Sequence, residues 1–97
     1  MATYILLASY TEQGIKGIKD TVKRTDAVRA LAKKAGLTMK ESYWTLGQYD
    51  VVAVFEAPDD ESMTAFSLSV AKLGNVKTQT LRAFSGKDMT GIIGKMV

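Results

Sequence analysis

The stretch Val51-Val52-Ala53-Val54-Phe55-Glu56-Ala57-Pro58-Asp59-Asp60 decides how the rest of the chain is read. A run of β-branched and aromatic residues closed by a polar turn predicts a strand over Val51 to Ala57. Apolar residues occupy both alternating faces of that run, so the strand must be covered on both sides. Pro58 ends it. Asp59 or Asp60 then offers a carboxylate to the free N–H groups of a helical first turn. A covered strand leading directly into a capped helix is one unit of a mixed α and β fold.

Working outward, Met63, Phe66, Val70 and Leu73 form an apolar stripe on a helix expected from Asp60 to Leu73. Gly74-Asn75 terminates it, and Val76 to Phe84 reads as a further strand. On the upstream side, Met39 to Leu46 is a strand with Ser42, Trp44 and Leu46 on one face and Glu41, Tyr43 and Thr45 on the other. Gly47-Gln48-Tyr49-Asp50 is the turn between these two strands.

The first strand spans Thr3 to Tyr10, with Tyr4, Leu6, Ala8 and Tyr10 sharing one face and Ile5, Leu7 and Ser9 the other. A short helical piece over Gln13 to Lys19 is weakened by Gly14 and Gly17. The main helix is expected from Val22 to Ala35, with Asp20 or Thr21 as N-cap, and Gly36 ends it. Its stripe comprises Val22, Thr25, Val28, Leu31 or Ala32, and Ala35.

The resulting order, β-α-β-β-α-β, defines an α+β domain of the ferredoxin-like type: a four-stranded antiparallel sheet with two helices on one face. Residues 1–85 make this domain. Residues 86–97 form a tail with helix-unfriendly Gly86, Gly91 and Gly94, yet it carries Met89, Ile92, Ile93, Met96 and Val97. An apolar tail beyond a finished fold is expected to pack on a neighbouring subunit.

Composition points the same way. Of 97 residues, 46% are hydrophobic, a generous apolar supply for a domain whose own core is small. The strands do not alternate cleanly, so the helix-free side of the sheet is expected to be apolar. Two such sheets packed face to face would make a dimeric α+β barrel, so the first expected partner is a second copy of this chain.

The net charge is +3, and much of the basic excess lies in Lys16, Lys19, Lys23, Arg24, Arg29, Lys33 and Lys34. At helical spacing this reads as a solvated helix face rather than a phosphate patch, and no nucleic-acid partner is expected. The chain has neither Cys nor His. That excludes disulfides, thiolate nucleophiles, a Ser-His-Asp triad and Cys/His zinc sites. Asp59-Asp60-Glu61 reads as a helix cap, so no metal and no cofactor is called for. The N-terminal apolar run is too short for a signal core or a membrane span, making the cytoplasm the expected location.

Candidate ligand-binding residues come from the last strand and the hairpin. Thr78, Thr80 and Arg82 alternate along one strand face. Pointing inward, they would set hydroxyls and a positive charge beside Trp44, Tyr43 or Tyr4, forming a pocket on the helix-free face for a small anionic or aromatic molecule. Pointing outward, they are a solvated edge. Gly47 serves the turn. Tyr49 and Asp50 either pack the hairpin or stand at the barrel mouth, where a phenol and a carboxylate could orient a ligand.

The segment Tyr43-Trp44-Thr45-Leu46-Gly47-Gln48-Tyr49-Asp50-Val51-Val52 resembles the GYD domain family of small bacterial proteins. Thr11-Glu12-Gln13-Gly14-Ile15-Lys16, Ala57-Pro58-Asp59-Asp60 and Leu73-Gly74-Asn75-Val76-Lys77-Thr78 agree with it, and the resemblance covers residues 3–85. One departure is Val22, where the family pattern leads one to expect Pro at the first turn of the main helix. The resemblance implies a ferredoxin-like, dimeric α+β-barrel fold and says little about function. Two functional classes follow: a small-ligand-binding or interaction module, and a cofactor-free enzyme resembling the monooxygenases and isomerases built on such barrels, with Trp44, Tyr49 and Asp50 as its polar set.

Overall fold

The structure, a computed structural model, describes residues 1–97. Its elements run β1 (Ala2–Tyr10), α1 (Glu12–Lys16), a 3-10 turn (Ile18–Asp20), α2 (Thr21–Lys34), β2 (Thr38–Trp44), β3 (Val51–Ala57), α3 (Asp60–Ala71), β4 (Val76–Ala83) and α4 (Gly86–Ile93). The four strands form one antiparallel sheet in the order β2-β3-β1-β4. This is the α+β, ferredoxin-like arrangement that the sequence predicts, extended by a C-terminal helix. No helix is long and apolar enough to cross a membrane.

The pairing register sorts the sheet into rows. On the helix-covered face, Arg82, Tyr4, Phe55 and Met39 lie side by side, then Thr80, Leu6, Ala53 and Ser42, then Thr78, Ala8, Val51 and Trp44. Met39 and Ser42 differ in parity and would face opposite ways in a regular strand. A bulge between Met39 and Glu41 absorbs one residue and brings both to the helices. On the helix-free face, Leu81, Ile5 and Val54 form one row, and Gln79, Leu7, Val52 and Tyr43 the next.

The core lies between sheet and helices. Phe55 and Phe66 are fully buried, with ring centroids 5.2 Å apart, and Met63, Val70, Ala32 and Leu37 close around them. Asp59 caps α3, its carboxylate accepting from the Ser62 N–H at 2.8 Å. That charge-assisted bond holds the Asp59 carboxyl below its usual range. The ends of α2 and α3 differ from expectation. Val22, Ala35 and Leu73 are exposed, so α2 contributes a narrower stripe centred on Val28, Leu31 and Ala32. Asp20 sits at the N-cap position of α2 without making a cap bond, and the Thr21 hydroxyl is engaged elsewhere.

The tail also departs from its glycine content by forming α4. Ser85 and Asp88 make a reciprocal capping box at 3.0 Å each, which lowers the Asp88 carboxyl pKa. Gly86 opens the helix and Gly94 closes it, so only Gly91 imposes the interior penalty. The helix stands away from the body with Met89, Ile92 and Ile93 exposed. The Cα radius of gyration, 14.5 Å, accordingly exceeds the roughly 12.5 Å of a compact chain this long.

Candidate functional site

The two turns at one end of the sheet are stitched together. Thr11 donates its backbone N–H to the Asn75 carbonyl at 3.1 Å, and its hydroxyl to the Gly74 carbonyl. The Gln13 amide donates to the Leu73 carbonyl and to Asn75 Oδ1, both at 3.0 Å. Gly14 lies so close to this second turn that a Cβ there would sit 2.1 Å from the Asn75 carbonyl oxygen. Only glycine permits that approach. The segments Thr11-Glu12-Gln13-Gly14 and Leu73-Gly74-Asn75 are thus two halves of one structural joint.

Against this joint, the sheet and α2 enclose a cavity of about 370 Å³. Leu6, Ala8, Ala53 and Phe55 pave its floor, and Val28 and Leu31 of α2 overhang it. Small residues at positions 8 and 53 leave the space that larger side chains would fill. Tyr10, Thr21, Arg24, Thr25, Ser42 and Asn75 supply the polar groups of its lining. Tyr10 and Thr21 share a hydrogen bond of 2.7 Å between their hydroxyls, and the Trp44 indole N–H donates to the same Thr21 oxygen at 3.1 Å. Arg24 donates to the Gly14 carbonyl at 3.0 Å, with its guanidinium carbon 6.0 Å from the centre of the Tyr10 ring.

The residues singled out from sequence do not converge, and none of the six ligand candidates lines this cavity. Trp44, Thr80 and Arg82 belong to the helix-covered face, whereas Tyr43 belongs to the helix-free one. Trp44 reaches the rim only through Thr21. Arg82 lies over the rings of Tyr4 and Phe84, at 5.5 and 4.6 Å, and donates to the carbonyls of Thr3 and Ala83. The cavity beneath α2 is a different place from the helix-free face, where the sequence expects a pocket. A second, more open hollow of about 360 Å³ lies between Arg82, Phe84 and α4, and one Arg82 nitrogen there is bonded to backbone carbonyls.

The hairpin residues also separate. Gly47 takes φ +97°, as a tight turn requires. The Asp50 carbonyl accepts the Thr45 N–H across the turn at 2.9 Å, while its carboxylate points away, accepting from the Tyr10 N–H at 2.9 Å, and its N–H donates to the Ala8 carbonyl at 2.9 Å. It ties the hairpin to the end of β1. Tyr49 donates its phenol to Gln79 Oε1 at 2.7 Å, reaching toward β4. Tyr43 donates to Glu41, a bond that raises the phenol pKa. Nowhere do three His, Cys, Asp or Glu side chains converge as metal ligands.

Sequence reasoning placed Arg24 on a solvated helix face. A signal was nevertheless present: Arg24 follows Thr21 by three residues and precedes Val28 by four, so it flanks the stripe that meets the sheet. Tyr10 stood on the correct face, but a strand terminus gives no hint that a cavity opens beside it.

The fold is shared with proteins of known structure. A crystal structure of a protein from Thermus thermophilus superposes with a TM-score of 0.59 at 24% identity, covering 89% of this chain and 96% of that one. The 5-chloro-2-hydroxyhydroquinone dehydrochlorinase of Burkholderia phenoliruptrix AC1100, solved with 2,5-dihydroxybenzoquinone, superposes with a TM-score of 0.61 at 17% identity over 90% of this chain and 97% of that one. These likenesses show a shared ferredoxin-like α+β fold. In sequence, the chain is 33% identical over 90 residues to a Thermus thermophilus protein described as a glutamine synthetase and cystathionine beta-lyase binding protein, covering 92% of this chain and 95% of that relative. Residues 4–93 match the GYD domain, and the chain belongs to the GYD domain family.

Proposed function

We propose that the protein is a homo-oligomeric binding module that holds a small, largely apolar molecule between α2 and the sheet. The cavity carries this reading. It has the size of a small-molecule site, an apolar floor and a few polar groups at its rim. Self-association is supported by the helix-free face, where Ile5, Leu7, Val52, Val54 and Leu81 form a contiguous apolar patch. Titration with neutral apolar probes, indole and octanamide, followed by backbone amide chemical shifts, tests the site. Shifts are expected around Leu6, Ala53, Val28 and Leu31, and Ala53→Leu should abolish them by filling the cavity. Unmoved resonances at these positions with both probes would sink the reading. Sedimentation tests the assembly: at least two copies are expected, and Val54→Lys should dissociate them.

A second reading, a module that binds another protein, is favoured by α4. Its exposed Met89, Ile92 and Ile93 recur at three- and four-residue spacing, with exposed Met96 just beyond its end, and the relative at 33% identity is described as binding two enzymes. Co-sedimentation with purified glutamine synthetase, lost on Ile92→Asp, would support it. Absence of co-sedimentation with the unaltered chain counts against that partner.

A further inference from the structure

We infer that the occupant of the cavity is an amphipathic carboxylate, its apolar body on the sheet and its charged end on Arg24. This rests on the reading of the cavity as a binding site and adds the chemical class of the ligand. Arg24 is the one cation in the lining, and no carboxylate side chain lines the cavity with it. The ion pairs of the chain, Lys16–Glu12, Arg29–Asp26 and Lys40–Glu56, leave Arg24 out. A guanidinium carries five N–H donors, and Arg24 makes a single hydrogen bond within the chain, to the Gly14 carbonyl.

That bond and the Tyr10 ring hold the group in place at the apolar opening. A partly buried cation left without a counter-charge is costly unless an anion joins it. The planar fork also suits a carboxylate better than a single acceptor. Thr25, the next residue of α2, also lines the cavity, and its hydroxyl is not taken up by a hydrogen bond within the chain, so it is the second polar group near the anion. Arg82, by comparison, places one guanidinium nitrogen on two backbone carbonyls and lies outside the cavity.

The test compares two matched pairs of probes, octanoate with octanamide and cinnamate with cinnamamide, by calorimetry on the full-length protein. In at least one pair the carboxylate is expected to bind ~10-fold or more tightly than its amide. Arg24→Gln should bring that ratio to about one, while Arg29→Gln, on the exposed side of α2, should leave it unchanged. Should Arg24→Gln not fold, Arg24→Lys, which keeps the charge, must retain a preference for the carboxylate that weakens as salt is raised. Amides binding as well as carboxylates, or a preference that survives Arg24→Gln, would overturn the assignment and leave the cavity reading standing. If no member of either pair binds, this inference fails, and the cavity reading fails with it only where indole also leaves the cavity resonances unmoved.

Discussion

The two ends of β1 are built from the same parts and close differently. On one sheet face, Tyr4 and Tyr10 each carry an arginine over the ring and each bond their phenol to a neighbour. At Tyr4 the partners are Arg82 and the Asp60 carboxylate, with Phe55 and Phe66 packed beside them. There the Tyr4 phenol meets a carboxylate of the chain and its ring is buried, so the core side of this end is sealed. At Tyr10 the partners are Arg24 and a neutral hydroxyl, and the space beside the ring is the cavity. Six residues of strand, roughly 20 Å, thus separate a packed core from an open one. The difference lies in what stands along the sheet: Phe55, backed by Phe66, beside Tyr4 where it forms the near edge of the cavity floor, and only Ala8 and Ala53 toward the open end.

The largest way to break this contrast is to empty the sealed end. Phe55→Ala should cost about 3–5 kcal/mol in chemical denaturation, whereas Val28→Ala, whose side chain already borders free space, should cost only about 1 kcal/mol. Equal losses would mean that the two ends are packed alike. Next in size, Gly14→Ala forces a Cβ into the Asn75 carbonyl and should lower stability by about 1–3 kcal/mol. Because it displaces the wall of the open end, amide hydrogen exchange should quicken at Thr11, whose N–H donates to Asn75, before it does at Tyr4.

A smaller effect is spectroscopic. The Tyr4 phenol titrates above the ordinary range, chiefly because it donates to the Asp60 carboxylate, and burial adds to this. Asp60→Asn should bring that titration down in an alkaline absorbance scan, leaving the raised Tyr43, which answers to Glu41, where it was. The smallest effect is at the helix caps. The Asp59 and Asp88 carboxyls are depressed in the folded state, so their contribution is present above the ordinary carboxylate range. It is lost as pH falls through the depressed values. Helical circular dichroism should decline in that acid window, and Asp88→Asn should flatten the part due to α4.

These contrasts explain what could be read from sequence. The apolar run of β3 with its Pro-Asp-Asp stop, the glycines at positions 36 and 74, and the face shared by Tyr4, Leu6 and Ala8 are local signals, and each led to the right element. Even the apolar helix-free face followed from strands lacking alternation. The site was not legible in the same way, because a cavity is an absence. Nothing at Ala8 or Ala53 announces that no larger side chain arrives from α2. The bulge at Lys40 shifts the parity of β2, and Arg82 spends its charge on carbonyls whose positions depend on the finished sheet. Ser85 and Asp88 were a readable capping box, outweighed in the reading by three glycines of which two lie at helix ends.

The strand order carries a consequence for how the chain acquires its shape. β1 is synthesised before the other strands, yet it lies in the interior of the sheet, between β3 and β4, and its pairing of Thr3 with Ala83 joins opposite ends of the sheet-forming sequence. Such non-local pairing slows folding, since a long loop must close before its contacts reward it. During synthesis the apolar Tyr4-Ile5-Leu6-Leu7 segment must wait, unpaired along one edge, until the last strand leaves the ribosome. The most sheltered strand of the folded protein is therefore its most vulnerable segment while the chain is being made.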